Sequence, residues 1–260
     1  MLRRIAFRAR IGFIACITIA CVLLLGASLQ AQDTPPTETP TAVETPTPIP
    51  DPSLAIELVA PDGKTLHGSY FARSQDPSRA VLLLHQLYAD RSSWTPLIYP
   101  LLDAGFKVLA VDLRGYGQSR AKINWTAAQE DTLAWAAWLR EQPGVASVGF
   151  VGSSMGASLA LVGCGALWAT DASQCVGAVA LSPGLNYFNV YTGDAVKVGF
   201  PTLVIYAEDD RYPKVDVPEL QTLSGDALSV IVYPGRRHGV DLFKQDDLLA
   251  TTLVAWLAER

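Results

Sequence analysis

Ser154 stands in the run Gly152-Ser153-Ser154-Met155-Gly156, between an apolar stretch, Ser147 to Val151, and a helix-like stretch, Ala157 to Trp168. A serine on a sharp strand-to-helix turn presents its hydroxyl at the carboxyl edge of a sheet, where it can act as a nucleophile. Such a turn forces a strained backbone. The two flanking glycines are the residues that would avoid collision with adjacent elements. The same turn leaves the Met155 N–H at a helix N-terminus, where it can bind a developing oxyanion.

A serine nucleophile needs a base and an acid, and on this kind of turn they follow it in the order acid, then histidine. The chain has three histidines. His67 and His85 precede Ser154, so only His238 can serve as base. It lies in Tyr233-Pro234-Gly235-Arg236-Arg237-His238-Gly239, a turn-rich segment after the apolar run Leu228 to Tyr233. The acid should leave the preceding apolar run, Thr202 to Ala207, and Glu208, Asp209 and Asp210 follow it at once. Only one carboxylate can orient an imidazole ring N–H. Asp210 is the first choice and Asp209 the second.

Three further segments complete the set: Val81 to Leu87, Asp112-Leu113-Arg114-Gly115-Tyr116-Gly117-Gln118-Ser119, and Pro201 to Asp210. With the Ser154 turn and the His238 loop, they resemble the α/β-hydrolase superfamily, and more narrowly its small bacterial dienelactone-hydrolase-like and esterase members. The resemblance runs from about Leu54 to the C-terminus. It implies an acid three residues beyond the strand end at Ala207, which is Asp210. It also implies a second oxyanion N–H at Leu87, although His85-Gln86 replaces the family's His-Gly and leaves Gln86 as a rival donor. His85 is expected to support that loop by a hydrogen bond. Asp112, Gly115 and Gly117 are expected to end a strand and turn the chain, with no catalytic role.

Apolar strands alternate with amphipathic helices from Ala80 onward: strands at Ala80–Leu84, Lys107–Asp112, Ser147–Val151, Val176–Leu181, Thr202–Ala207 and Leu228–Tyr233, helices at Trp94–Asp103, Thr126–Glu141 and about Gln245–Ala258. This pattern predicts an α/β class, a mostly parallel sheet covered by helices on both faces. Leu54–Ala60 and Leu66–Phe71, joined by Pro61-Asp62-Gly63, predict an antiparallel hairpin ahead of it. Trp135, Trp138, Leu133 and Leu139 fall on one helix face and read as core. Pro183 to Phe200, where relatives insert a lid, is too short for a helical cap domain. Its Tyr187, Phe188 and Tyr191 could form a pocket rim with Leu87, Tyr88 and Tyr212.

The N-terminus reads differently. Arg3, Arg4, Arg8 and Arg10 precede an uncharged apolar run from Ile11 to about Leu29. That is the pattern of an export signal, cleaved near Ala31 or retained as a membrane anchor. Either outcome leaves the remainder outside the cytoplasm. Residues 32–52 are Thr/Pro-rich, a composition that cannot bury a core and suits a spacer. The catalytic domain is then residues 53–260. Without the four leader arginines the basic count falls from 20 to 16 against 25 acids, a charge of about −9. That disfavours nucleic acid and anionic lipid as partners. Cys164 and Cys175 form either a disulfide, worth about 3 kcal/mol, or two buried thiols. No cofactor is called for, and no His or further Cys clusters with them to bind a metal.

The expected activity is hydrolysis of small-molecule carboxylic esters by Ser154, His238 and Asp210 through an acyl-enzyme, with Met155 and Leu87 as oxyanion donors. A peptidase or acyltransferase would use the same three residues. A binding module on this fold would have no need to retain them.

Overall fold

The computed structural model describes residues 53–73 and 78–260. The leader and the Thr/Pro segment, residues 1–52, lie outside the described residues. Ten strands and six α-helices follow in the order β1 Leu54–Val59, β2 Thr65–Phe71, β3 Ser78–Leu84, α1 Thr95–Asp103, β4 Lys107–Val111, α2 Trp125–Arg140, β5 Val145–Ser153, α3 Met155–Thr170, β6 Cys175–Leu181, β7 Asn186–Tyr187, β8 Val190–Tyr191, α4 Gly193–Val196, β9 Thr202–Ala207, α5 Pro213–Ser224, β10 Leu228–Tyr233 and α6 Leu249–Ala258.

Eight strands form one sheet in the order β1-β2-β4-β3-β5-β6-β9-β10. β1 and β2 pair antiparallel to each other, and β2 pairs antiparallel to β4. From β4 to β10 every pairing is parallel. The first pairing follows from the turn after Ala60: Gly63 adopts φ +80°, and Ala60 N–H donates to Lys64 O at 2.8 Å. This is the mostly parallel sheet that the alternation predicts, with the antiparallel strands ahead of it, and it has the α/β-hydrolase arrangement that the resemblance implies.

The continuous apolar strands are explained by burial on both faces. Along β3, Leu82 and Leu84 join a layer with Trp135 and Leu139 of α2, Leu159 of α3 and Leu220 of α5. Val81 and Leu83, pointing the other way with the two-residue period of a strand, join Leu97 and Leu101 of α1 and Leu253 and Leu257 of α6. Trp135 and Leu139 are core, as expected. Trp138 is only partly buried and packs its ring edge against Tyr70 at 5.4 Å.

The sheet order reverses direction at β3: β4 lies on one side of it and β5 on the other. In open α/β sheets the crevice at the carboxyl ends beside such a switch is where ligands bind. The loops after β3, β5, β9 and β10 emerge at that edge, and they carry Leu87, Ser154, Asp210 and His238.

Candidate active site

Ser154 adopts φ +52° and ψ −115° between the end of β5 and the start of α3. This conformation is sparsely populated for a residue with a Cβ and persists only where its surroundings enforce it. Two constraints are visible. The Ser154 N–H donates to Leu181 O of β6 at 2.8 Å, and Ser154 O accepts from Ser158 N at 3.1 Å. The flanking glycines are a steric necessity here. A Cβ on Gly152 would overlap the Gly156 carbonyl, and one on Gly156 would overlap the carbonyl oxygens of Leu84 and His85. The first-turn N–H groups of α3, Met155 among them, have no acceptor within the helix.

Asp210 follows β9 and His238 follows β10. Parallel pairing of Ala207 with Tyr233 brings the two loops side by side. Asp210 Oδ2 lies 2.7 Å from His238 Nδ1, with the Asp210 side chain buried and the imidazole about one-third exposed. The neighbouring acids are engaged elsewhere. Asp209 pairs with Lys214 Nζ at 3.1 Å on the surface, and Glu208 accepts from the Gly235 N–H at 3.3 Å. Of the two candidate acids, Asp210 is the one the fold places against the imidazole.

His85 is wholly buried and lies behind the site. Its Nε2 accepts from Leu113 N–H at 2.9 Å, which places the ring proton on Nδ1, 2.7 Å from Gln86 O. Burial pushes its pKa down, against the opposing effects of the Gln86 carbonyl and the Asp112 charge. A neutral His85 thus holds the backbone of the loop that carries Leu87. Gln86 brings a hydrogen-bonding side chain to this loop. Its Oε1 accepts from Ser153 Oγ at 2.8 Å and from Val240 N–H at 3.2 Å. Ser153 Oγ also accepts from Val240 N–H at 3.0 Å, and Ser182 Oγ accepts from Gly239 N–H at 2.9 Å. Gln86, Ser153 and Ser182 together clamp the chain just after His238. Gly239 has φ +58°, and a Cβ there would strike the Ser153 and Gln86 side chains. None of these three is readable as a clamp from sequence, because their partners are 57 to 154 residues away.

Asp112 does structural work: it accepts from Arg91 N at 2.9 Å and Gln118 N at 2.8 Å and pairs with the Arg91 guanidinium. Any side chain at Gly117 would collide with its carboxylate.

A cleft of about 520 Å³ opens over these groups. Ser154, Met155, Asp210 and His238 line its floor with Gln86 and Leu87, and Tyr88, Asn186, Tyr187, Phe188, Arg211 and Tyr212 line the rest. The β7–β8 hairpin supplies one wall. Its turn residues, Phe188 and Asn189, have φ of +49° and +67°, and Phe188 stacks on Trp125 at 5.8 Å. Tyr191, an expected rim residue, is not among the lining residues. It pairs with Asn186 in the hairpin and turns its ring toward Gly193. Burial, then the charges of Asp210 and Asp216, hold the Tyr187 phenol well above its usual pKa.

Residues 79–188 match the family model described as alpha/beta hydrolase fold. The Pf2001 esterase of Pyrococcus furiosus superimposes with a TM-score of 0.66 at 20% identity, covering 80% of this chain and 92% of that one. This is an α/β-hydrolase fold. An esterase from Exiguobacterium antarcticum gives 0.62 at 15% identity over 78% and 99% of the two chains. In sequence, the Escherichia coli O157:H7 protein YfhR is 27% identical over 218 residues, 75% of this chain and 76% of its own. A candidate lysosomal acid lipase/cholesteryl ester hydrolase of Crotalus adamanteus is 35% identical over 92 residues. That match spans 31% of this chain and 23% of that relative's length. Among α/β-hydrolase folds, this one carries its cleft at the carboxyl edge with a two-stranded hairpin beside it and no helical cap between Pro183 and Phe200.

Proposed function

We propose that the protein is a serine hydrolase of small carboxylic esters, akin to dienelactone-hydrolase-like and esterase relatives, acting through an acyl-enzyme on Ser154. The observation that carries this reading is the 2.7 Å contact between His238 Nδ1 and Asp210 Oδ2 in the cleft that also holds Ser154. With Nδ1–H donated to Asp210, Nε2 is left as the basic nitrogen of His238. It takes the Ser154 proton as the oxygen attacks the ester carbonyl. The Met155 N–H, at the positive end of α3, and a backbone N–H at Leu87 stabilise the tetrahedral oxyanion. The imidazolium, held by Asp210, returns its proton to the leaving alcohol, and water repeats the sequence on the acyl-enzyme. The leader and spacer of residues 1–52 support export, with the hydrolase domain outside the cytoplasm as a free or anchored protein.

A fluorophosphonate probe is expected to label Ser154, and Ser154→Ala is expected to abolish hydrolysis of short p-nitrophenyl esters. A folded protein that neither takes the probe nor turns over these esters would overturn the reading. Parallel assays on amides and with alcohol acceptors distinguish peptidase and acyltransferase activity from ester hydrolysis.

A further inference from the structure

The cleft walls are largely apolar and aromatic, from Leu87, Tyr88, Tyr187, Phe188 and Tyr212. Against that background its charged groups stand out. Asp210 and His238 are committed to each other, which leaves Arg211 as the one cation with a fixed charge lining the cleft. Arg211 makes no ion pair among the described residues. Its guanidinium lies over the Tyr212 ring, 5.6 Å from the centroid. Stacking on a ring face orients the planar group and leaves its N–H edge available.

The nearby acids do not neutralise it by contact. Glu208 accepts from Gly235 N–H, Asp209 pairs with Lys214, and Asp216 accepts from Leu185 N–H at 2.9 Å. Asn186, exposed on the hairpin wall, adds a side-chain amide that has no hydrogen-bond partner among the described residues. The cleft therefore offers donors from two separate loops, and its one carboxylate, Asp210, is turned to His238.

From this we infer that the substrate is an ester bearing a carboxylate, which Arg211 binds bidentately at the cleft rim while an aryl or alkyl body lies on the aromatic wall. The inference rests on the serine-hydrolase reading and names its substrate class. Arg211 is a specificity-determining residue here, and Asn186 is the second donor.

Two matched substrate pairs test it, one varied in the acyl part and one in the alcohol part. They are the mono-p-nitrophenyl ester of glutarate against that of glutaramate, and 4-acetoxybenzoate against 4-acetoxybenzamide. The quantity read is the kcat/KM ratio of carboxylate to carboxamide within a pair, in which any general loss of activity cancels. In at least one pair, Arg211→Gln is expected to lower that ratio about fivefold, the size suited to an exposed charged contact. Arg211→Lys, which keeps the charge and loses the bidentate fork, should give a ratio between those of the wild type and Arg211→Gln. Raising the salt from 50 to 500 mM should shrink the wild-type ratio and leave that of Arg211→Gln flat. Ratios in both pairs unmoved by Arg211→Gln would overturn the carboxylate inference while ester turnover left the serine-hydrolase reading standing. No turnover of any member would remove both.

Discussion

Asp210 Oδ2 and His238 Nδ1 lie 2.7 Å apart although 28 residues separate them, because parallel β9 and β10 end in register at Ala207 and Tyr233. Asp209, one residue earlier, pairs instead with Lys214 on the surface. Asp210→Asn should therefore lower kcat on p-nitrophenyl acetate by about three to four orders of magnitude, since an amide cannot hold the imidazole in the required tautomer. Asp209→Asn should change it less than about threefold. Equal losses from the two variants would reassign the acid.

What the sequence makes legible here is what repeats with a period. β3, β4, β5, β6 and β9 are apolar runs because both faces of the sheet are covered there, β10 is a half-exposed edge strand that keeps the apolar run, and the expected bounds of all six agree with the observed ones to within about two residues. The segments that escaped prediction lack such a signal. β7 and β8 have two residues each, too few for alternation to show. α5 carries prolines at Pro213 and Pro218, the first tolerated at the helix start and the second set inside it. The closing helix was expected from about Gln245 and starts at Leu249 instead. The Asp246 carboxylate accepts from Leu248 N–H at 2.8 Å and from the Tyr233 hydroxyl, which holds a turn there. Ser154 and His238 were legible because a motif and a count of histidines leave no rivals. The acid was narrowed to neighbours whose side chains only the fold can orient. The clamp of Gln86, Ser153 and Ser182 depends on long-range contacts that no local pattern encodes.

His85 predicts a pH dependence of stability. Burial lowers its folded pKa below the ordinary 6.5, so the unfolded chain binds its proton more readily. Stability from this group is complete above about pH 6.5 and is lost as the pH falls below that value toward the folded pKa. The melting temperature of the wild type should drop between pH 7.5 and 5.5 more steeply than that of His85→Gln. Parallel slopes would show that His85 is not the neutral buried group described here.

Arg114 predicts an asymmetry between two of its carboxylate partners. It bonds Asp131 through Nε at 2.8 Å and Nη2 at 2.7 Å, with both side chains buried, and it reaches Asp62 at 2.6 Å on the rim. The Asp131 hydrogen bonds, foremost, push the Arg114 pKa above its usual value. Arg114→Met would leave the Asp131 carboxylate buried without its partner, and should cost about 3–5 kcal/mol in urea unfolding. Asp62→Asn breaks a pair that is 38% exposed on the acid side, and should cost much less than Arg114→Met. A loss from Asp62→Asn as large as that from Arg114→Met would contradict this division.

Cys164 and Cys175 are joined as a disulfide, with Cα atoms 5.7 Å apart and both side chains buried. The bond ties the far part of α3 to the first residue of β6, and these elements meet again at the site: α3 begins after Ser154, and β6 ends at Leu181, whose carbonyl holds the Ser154 N–H. Replacing both cysteines by alanine releases a loop closed over 11 residues and should lower the unfolding free energy by about 2–4 kcal/mol. Because Cys164 lies nearly three turns along α3 from Ser154, probe labelling at a temperature well below melting should proceed at a rate close to the wild type. Non-reducing peptide mapping of protein made in an oxidising compartment should recover Cys164 and Cys175 in one linked pair. Recovery of both as free thiols, with no stability difference between the wild type and the double variant, would remove the disulfide from the folded state.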